Sequence, residues 1–241
     1  MRLDQLIYSQ GFGTRRHCAA LIGAGLVAVG ATVRTDPAVE IAALSGVTEF
    51  TVEGQTWRFH ERAYLLLHKP GGYECSRRPS AWPSVYNLLP TPLRQRPAGG
   101  KALGVQALGR LDQDTTGLLL LSDDGHFIHR LNSPRRHVPK VYRVTTRHRL
   151  DPAQIERLLQ GVVLDDDPRP VRAAAASMVG ERHLQLTLTE GKYHQVKRMV
   201  AAVGNRVEAL HRSRIGALDL PADLLPGEWR WLTAGQLALL K

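Results

Sequence analysis

The chain has 241 residues, 43% of them hydrophobic, which is ordinary for a globular protein with one large core or two domains. Its formal net charge of +10 indicates an acidic partner, and nucleic acid is the leading candidate. No apolar run approaches the roughly 18 residues of a membrane-spanning helix, and the start Met1-Arg-Leu-Asp4 lacks the apolar segment of a signal peptide. We therefore expect a cytoplasmic protein that does not enter membranes.

The sequence shows no pattern typical of a cofactor or a metal. Cys18 and Cys75 are the only cysteines, and neither belongs to a Cys-x-x-Cys spacing. The ten histidines are scattered, without a carboxylate–histidine cluster at helical spacing. No Gly-x-Gly-x-x-Gly follows a strand, and no Gly-Lys-Ser/Thr phosphate loop is present. We predict no disulfide, no metal and no cofactor.

The first 60 residues have the pattern of a small α+β module. Apolar residues at helical spacing within residues 3–7 predict one helix, and Thr14 is a candidate N-cap for a second. Residues 26–29 and 56–59 alternate in the manner of short strands. We predict a domain of residues 1–60 followed by a larger domain of residues 61–241.

The second domain consists of many short strands with helices between them. The predicted strands cover residues 63–68, 118–121, 140–145, 183–189, 207–215 and 228–232. The predicted helices cover residues 126–131, 152–159, 194–203 and 233–240, with Asp151 and Thr233 as N-caps. Because strands and helices do not alternate regularly, we predict an α+β fold with a mostly antiparallel sheet. Residues 77–101, rich in Pro, Arg and Gly, predict a mobile surface excursion.

A cluster of polar residues precedes the apolar run at 118–121. The cluster consists of Arg110, Asp112, Asp114, Thr115 and Thr116. Loops held by a rigid scaffold often carry catalytic groups, so a carboxylate here is a candidate nucleophile or base. The alternative is that the two aspartates form Asx turns with their own backbone.

The order of these residues resembles a known family. The segment Gly109-Arg-Leu-Asp-Gln-Asp-Thr-Thr-Gly-Leu-Leu-Leu-Leu121 resembles the active-site segment of pseudouridine synthases, and within them the RsuA type. The resemblance implies a catalytic domain with a long mixed sheet and a central cleft, in which Asp112 is the essential aspartate. It also implies a ribosomal RNA target, usually uridine 516 of 16S rRNA.

Two further segments resemble motifs of the same family. Lys140-Val-Tyr142 is similar to the second motif, which implies that Tyr142 stacks on the target base. Gly191-Lys-Tyr-His-Gln-Val-Lys-Arg-Met199 is similar to the third, which implies that Lys197, or alternatively Arg198, pairs with the catalytic aspartate. Leu210 matches an apolar residue that lies under the base in related synthases. A half-buried structural tyrosine is the alternative for Tyr142.

The N-terminal module resembles the alpha-L RNA-binding module that is shared with a small-subunit ribosomal protein. In that module the second helix lies on the phosphate backbone, which implies that Arg15 and Arg16 contact RNA. A solvated helix face is the alternative. Residues 1–60 contain five arginines, no lysine and five acidic residues, so all of the net charge lies beyond them. This count favours a positioning role for the module, because Lys and Arg dominate non-specific affinity for RNA.

Basic residues near the predicted site are further candidates for RNA contacts. The set consists of Lys69, Arg110, Arg135, Arg136, Lys140 and Arg198. We expect an rRNA pseudouridine synthase that flips its target nucleotide into a cleft and acts as a monomer on small-subunit RNA or an assembling small subunit. The alternatives are a synthase for 23S rRNA and a non-catalytic rRNA-binding assembly factor.

Overall fold

A computed structural model describes residues 1–41, 49–98, 101–165 and 167–240. The chain forms two compact units. The first comprises Met1–Tyr64, Leu89–Gln106 and Leu121–Gly125, and the second comprises Leu65–Leu88, Ala107–Leu120 and His126–Lys241. Within the described residues no helix is both long enough and apolar enough to cross a membrane.

The described helices and strands agree with most of the predicted ones. The helices are α1 (Leu3–Ser9), α2 (Arg15–Gly23), α3 (Thr91–Gln95), α4 (Gly125–Asn132), α5 (Pro152–Gln160), α6 (Gln195–Ala202) and α7 (Ala234–Ala238). The strands are β1 (Val27–Val29), β2 (Thr32–Arg34), β3 (Glu49–Val52), β4 (Gln55–Arg58), β5 (Tyr64–Lys69), β6 (Pro97–Ala98), β7 (Lys101–Ala102), β8 (Gln106–Leu108), β9 (Thr116–Ser122), β10 (Lys140–Thr146), β11 (Val162–Leu164), β12 (Asp167–Val171), β13 (Ala175–Gly180), β14 (His183–Leu188), β15 (Val207–Ile215), β16 (Leu218–Asp219) and β17 (Trp229–Trp231). Short 3₁₀ helices lie at Val85–Leu88 and Pro134–Arg136.

The N-terminal part of the first unit contains two helices and a four-stranded sheet of order β2-β1-β3-β4. The side chain of Thr14 accepts a hydrogen bond from the His17 amide at 3.2 Å, so the predicted cap of α2 is confirmed. Buried residues of both helices and of the sheet form one core: Leu3, Leu6, Ile7, Cys18, Leu21, Ile22, Val27, Phe50 and Val52. The predicted α+β module is therefore present.

A buried polar network holds a later segment within the same unit. Arg96 donates from Nε to Asp123 Oδ2 at 2.6 Å, from Nη1 to Gln10 Oε1 at 2.8 Å and from Nη2 to the His60 carbonyl at 2.7 Å. Leu93, on α3, is also buried. The prediction of a surface excursion over residues 77–101 is thus wrong for this part, because Arg96 and Leu93 lie in the interior; residues 99 and 100 lie outside the described part.

The second unit is built on a nine-stranded sheet. Its main order is β13-β14-β10-β15-β9-β5-β17, with β16 paired to β15 and β8 paired to β9. The pairs of β10 with β14 and β15, of β13 with β14 and of β5 with β17 are antiparallel, whereas β15 and β9 run parallel. The predicted mostly antiparallel character is confirmed for these pairs.

Close packing surrounds the central strand β9. Its residues from Gly117 to Ser122 are all buried, as the continuous apolar run predicts. Gly117 has φ +109°, and a Cβ there would lie 2.3 Å from the backbone oxygen of Arg212. Only glycine therefore allows β9 and β15 to approach this closely.

Candidate active site

A cavity of about 370 Å³ lies within the second unit. Its walls come from four segments that are distant in sequence: side chains within residues 109–115, 132–142, 188–196 and 210–212. The loop before β9, the start of β10, the loop before α6 and the middle of β15 thus meet at one place. The three segments singled out by the sequence motifs all contribute to this cavity.

Asp112 lies at the wall of the cavity between two basic side chains. Its carboxylate Oδ2 is 3.2 Å from Lys197 Nζ, and its Oδ1 is 3.3 Å from His194 Nε2. The side chain of Asp112 is 26% exposed, so it is accessible to a ligand in the cavity and partly shielded from water. Of the two predicted partners, Lys197 reaches Asp112. Arg198 donates from Nη1 to the Tyr193 carbonyl at 3.2 Å.

Lys197 also binds a second carboxylate in the same loop. Its Nζ donates to Asp114 Oδ1 at 2.7 Å and to Oδ2 at 2.9 Å. Burial alone would lower the pKa of Lys197, but hydrogen bonds to Asp114 and Asp112 outweigh it and raise that pKa. Burial would raise the pKa of Asp114, yet the hydrogen bond and charge of Lys197 lower it. The ammonium and the Asp114 carboxylate therefore stay charged at neutral pH.

The loop that carries Asp112 is held from below by Lys69. This side chain is fully buried, and its Nζ donates to the carbonyls of Pro70, Gln113 and Thr115 at 3.0, 3.1 and 2.8 Å. The prediction that Lys69 contacts RNA phosphate is therefore wrong, because the ammonium is enclosed and uses its three donors on backbone oxygens. Lys69, at the end of β5, instead supports the loop that carries the predicted catalytic residue Asp112.

The loop before α6 is held by its own hydrogen bonds. Gln195 accepts from the Lys192 amide at 2.8 Å and donates to Glu190 Oε1 at 2.8 Å. His194 adopts the left-handed conformation, with φ 47° and ψ 31°, and its ring stacks on that of Tyr193 at 3.8 Å between centroids. This unusual backbone turns the imidazole toward Asp112.

Two paired strands form a further part of the wall. Tyr142 of β10 is paired in register with Arg212 of β15, and Leu210 lies two residues before Arg212. All three side chains are buried and border the cavity. An aromatic ring and an aliphatic side chain at one wall form a surface on which a planar base can lie.

The remaining predicted RNA-binding residues lie in different places. Arg110 is exposed at the rim of the cavity. Lys140 borders the cavity and donates to the Val138 carbonyl at 3.1 Å, and burial followed by the charge of Arg212 lowers its pKa. Arg135 and Arg136 are exposed within the second unit.

Arg15 and Arg16 are exposed at the start of α2 in the first unit. The guanidinium of Arg15 lies 5.2 Å from the centre of the Tyr8 ring, so it makes a cation–π contact on its own module. Both arginines therefore lie on the surface of α2, where solvent or a ligand can reach them.

Comparison with known proteins decides the family. Residues 63–202, more than half of the chain, match the family described as RNA pseudouridylate synthase. The chain belongs to the RNA pseudouridylate synthase family. Residues 1–43 match the S4 domain. The predicted fold, a small N-terminal RNA-binding module and a larger pseudouridylate synthase domain, is confirmed, as is the predicted enzyme class, an isomerase.

Several proteins named as pseudouridine synthases are similar over most of the chain. A protein of Yersinia pestis named ribosomal small subunit pseudouridine synthase A is 39% identical over 246 residues, which cover 99% of this chain and 97% of that protein. The protein of the same name from Escherichia coli strain K12 is 43% identical over 179 residues, which cover 74% of each chain. A pseudouridylate synthase of known crystal structure is 33% identical in sequence. The structural match has a TM-score of 0.69 and covers 100% of this chain and 100% of that one.

Two residues of this pseudouridylate synthase site are not among the predicted site residues. His194 lies three positions before Lys197; the predicted helix of residues 194–203 would place the two on one face, but His194 precedes α6 in the left-handed conformation and reaches Asp112 from there. Arg212 lies two positions after Leu210 in a strand, a spacing that places residues on the same face of a sheet. Both signals depend on knowing that Lys197 contacts Asp112 and that Leu210 borders the cavity.

Proposed function

We propose that this synthase converts one uridine of small-subunit rRNA to pseudouridine, with uridine 516 of 16S rRNA as the target. The observation that carries the proposal is the position of the Asp112 carboxylate, held between Lys197 and His194 at the wall of the 370 Å³ cavity. The choice of RNA is supported by the names of the relatives from Yersinia pestis and Escherichia coli.

The reaction breaks the bond from ribose C1′ to uracil N1 and joins C1′ to uracil C5. C5 loses a proton and N1 gains one, so no oxidant, reductant or group donor is needed. Asp112 acts on the ribose or on the base, as a nucleophile or as a proton acceptor, and Lys197 holds its carboxylate through the contact of 3.2 Å. The proposed role of Lys197 is supported by its simultaneous contacts with Asp112 and Asp114.

The target base leaves the RNA stack and enters the cavity. Both edges of the uracil must be accessible for N1 to leave and C5 to attack, so the nucleotide is flipped. Tyr142 stacks on the base and Leu210 packs under it, a role supported by the burial of both side chains at the wall of the cavity. Arg110, Arg135, Arg136, Lys140 and Arg198 contact the RNA backbone around the base.

The two domains divide the work of RNA binding. A domain of residues 61–241 supplies most of the electrostatic affinity, because it carries the whole net charge of +10. The domain of residues 1–60 is formally neutral and orients the RNA through Arg15 and Arg16, which are exposed on α2. The synthase acts as a monomer.

The proposal is tested by tritium release from RNA labelled at uracil C5. Wild type and Asp112→Asn are compared on small-subunit RNA, on large-subunit RNA and on partly assembled particles of each. Asp219→Asn is the matched control, because Asp219 is an exposed aspartate that pairs with Arg214. We expect release by wild type and by Asp219→Asn, none by Asp112→Asn, and faster release from small-subunit RNA.

The other outcomes separate the alternatives. Faster release from large-subunit RNA would establish a 23S rRNA synthase. Salt-sensitive RNA binding without release from any RNA or particle would establish a binding or assembly factor. Turnover by Asp112→Asn at the wild-type rate would remove Asp112 from the mechanism.

A further inference from the structure

Arg212 is a buried cation that has no counter-ion among the residues that the structure describes. Only 2% of its surface is exposed, and its Nε donates to the Leu118 carbonyl at 2.8 Å. Its terminal nitrogen Nη2 is enclosed and has no hydrogen-bond partner in the described part of the chain. Among the described residues, no carboxylate lies within 4.0 Å of its guanidinium. Of the five N–H donors of an arginine, a single one at Arg212 therefore has an acceptor within the described residues.

Arg96 shows how this chain satisfies an arginine that serves the fold. Arg96 is equally buried, but it pairs with the Asp123 carboxylate and donates to Gln10 and to the backbone carbonyls of His60 and Glu61. A buried guanidinium without such partners carries a large penalty from the lost hydration of its charge. Because the Arg212 guanidinium carries this penalty, we infer that a bound ligand supplies the hydrogen-bond acceptor for it.

The surroundings of Arg212 define where that acceptor lies. Arg212 borders the cavity, with Tyr142 as its partner on the adjacent strand and Leu210 two residues before it. A group that meets the guanidinium lies beside the ring of Tyr142 and the side chain of Leu210. That position suits a carbonyl oxygen at the edge of a planar base. A hydrated phosphate is instead met at the rim, where Arg110 is exposed.

The reaction supplies the negative charge that this cation lacks. When the C1′–N1 bond breaks, its electron pair stays on the pyrimidine and spreads to the carbonyl oxygens O2 and O4; attack of a carboxylate on the base also sends electrons to a carbonyl oxygen. Charge therefore accumulates on the same oxygens in every role open to Asp112. The charge disappears when C5 has bonded to C1′, C5 has lost its proton and N1 has gained one.

We propose that Arg212 is a catalytic residue that donates a hydrogen bond to a carbonyl oxygen of the target uracil and stabilises the negative charge that forms on the base. The inference rests on the proposed function, since it requires the uracil to enter the cavity. A preorganised donor in a site without water is effective because it needs no reorganisation when the charge forms.

Arg212→Met and Arg212→Lys test the proposal, with Arg214→Met as the matched control. Arg214 lies on the same strand but is exposed and bound to Asp219. In single-turnover tritium release, we expect Arg212→Met to be about 100-fold to 1000-fold slower than wild type, a typical effect of removing one such donor. We expect Arg212→Lys to recover part of the rate. The rate of Arg214→Met should stay within about threefold of wild type, and so should the RNA affinity of all three variants.

Urea denaturation of the same proteins separates catalysis from folding. Since Arg212 has no counter-ion in the described ranges of the chain, Arg212→Met should unfold at the same urea concentration as wild type or a higher one. An Arg212→Met protein that releases tritium at a third of the wild-type rate or faster would overturn the proposal. The proposal would also be overturned if the rate of tritium release in Arg212→Met and Arg212→Lys fell only in proportion to the fraction of each variant that is folded. A wild type that releases no tritium from any RNA would instead overturn the proposed function and this inference with it.

Discussion

Arg96 and Asp123 form an ion pair in the interior of the first unit, with Arg96 Nε 2.6 Å from Asp123 Oδ2 and side chains 3% and 4% exposed. Asp123 also accepts a hydrogen bond from the Ala63 amide at 2.7 Å. The pair thus links the segment around Arg96 to the turn that follows β9 and to the start of β5. Such a pair contributes little net stability when intact, but the loss of one partner leaves a buried charge uncompensated.

Replacing Asp123 by Asn should destabilise the protein severely. We expect the free energy of unfolding to fall by about 3–5 kcal/mol, because the guanidinium of Arg96 keeps its charge and loses its counter-ion. Urea denaturation measures the change. Glu181→Gln is the control, since Glu181 pairs with Arg149 on the surface and such exposed pairs contribute about 1 kcal/mol or less. A similar loss in both variants would contradict the assignment.

Replacing Gly117 by Ala should separate β9 from β15. The new Cβ would lie 2.3 Å from the Arg212 oxygen and 2.8 Å from its nitrogen, and φ is +109°. We expect a loss of at least about 2 kcal/mol in the free energy of unfolding. Gly125→Ala is the control, because nothing lies within 4 Å of a Cβ at this first residue of α4. The control should be as stable as wild type or more stable by up to about 1 kcal/mol.

His211 should make the stability depend on pH. Burial, followed by the charges of His68 and Arg143, lowers its pKa from 6.5. Below about pH 6.5 the unfolded chain binds a proton at His211 while the folded protein does not. The free energy of unfolding therefore decreases as the pH is lowered from about 6.5, until the pH is below the pKa of His211 in the folded protein. Above about pH 6.5 both states are neutral and the residue has no effect.

The comparison of urea denaturation at about pH 7.5 and about pH 5.5 isolates this residue. We expect His211→Gln to lose less stability between the two pH values than wild type does. His183→Gln, at an exposed position of β14, should lose as much as wild type. An unchanged pH dependence in His211→Gln would show that the folded protein protonates His211 as readily as the unfolded chain does.

Replacing His194 by Asn should raise stability and reduce turnover. Asn adopts the left-handed conformation of this residue, φ 47° and ψ 31°, more readily than His. We expect a gain of up to about 1 kcal/mol in the free energy of unfolding, together with slower tritium release, because the contact of 3.3 Å between the imidazole and Asp112 is lost. Glu53→Asn, at a left-handed residue of the first unit with φ 50°, should gain stability without a change in turnover.

Local patterns predicted the elements whose formation depends on neighbouring residues. Thr14, Asp151 and Thr233 each cap the helix that follows, and their side chains accept the expected backbone hydrogen bonds. Strand β13 was not predicted, because most of its side chains are exposed and its residues show no alternation. Helix α3 was not predicted either, because Pro and Arg are frequent around it and its packing depends on distant residues.

The amino-acid sequence by itself determined the family motifs, the helix caps, the buried strand before Ser122 and the excess of positive charge. Only the tertiary structure decided that Lys69 binds the backbone of the Asp112 loop, that Arg96 pairs with Asp123 and that Arg212 is buried without a counter-ion among the described residues. All three are basic residues that sequence patterns place on the surface. The burial and the partner of a long charged side chain depend on strands and loops that are distant in sequence, and these meet only when the chain has folded.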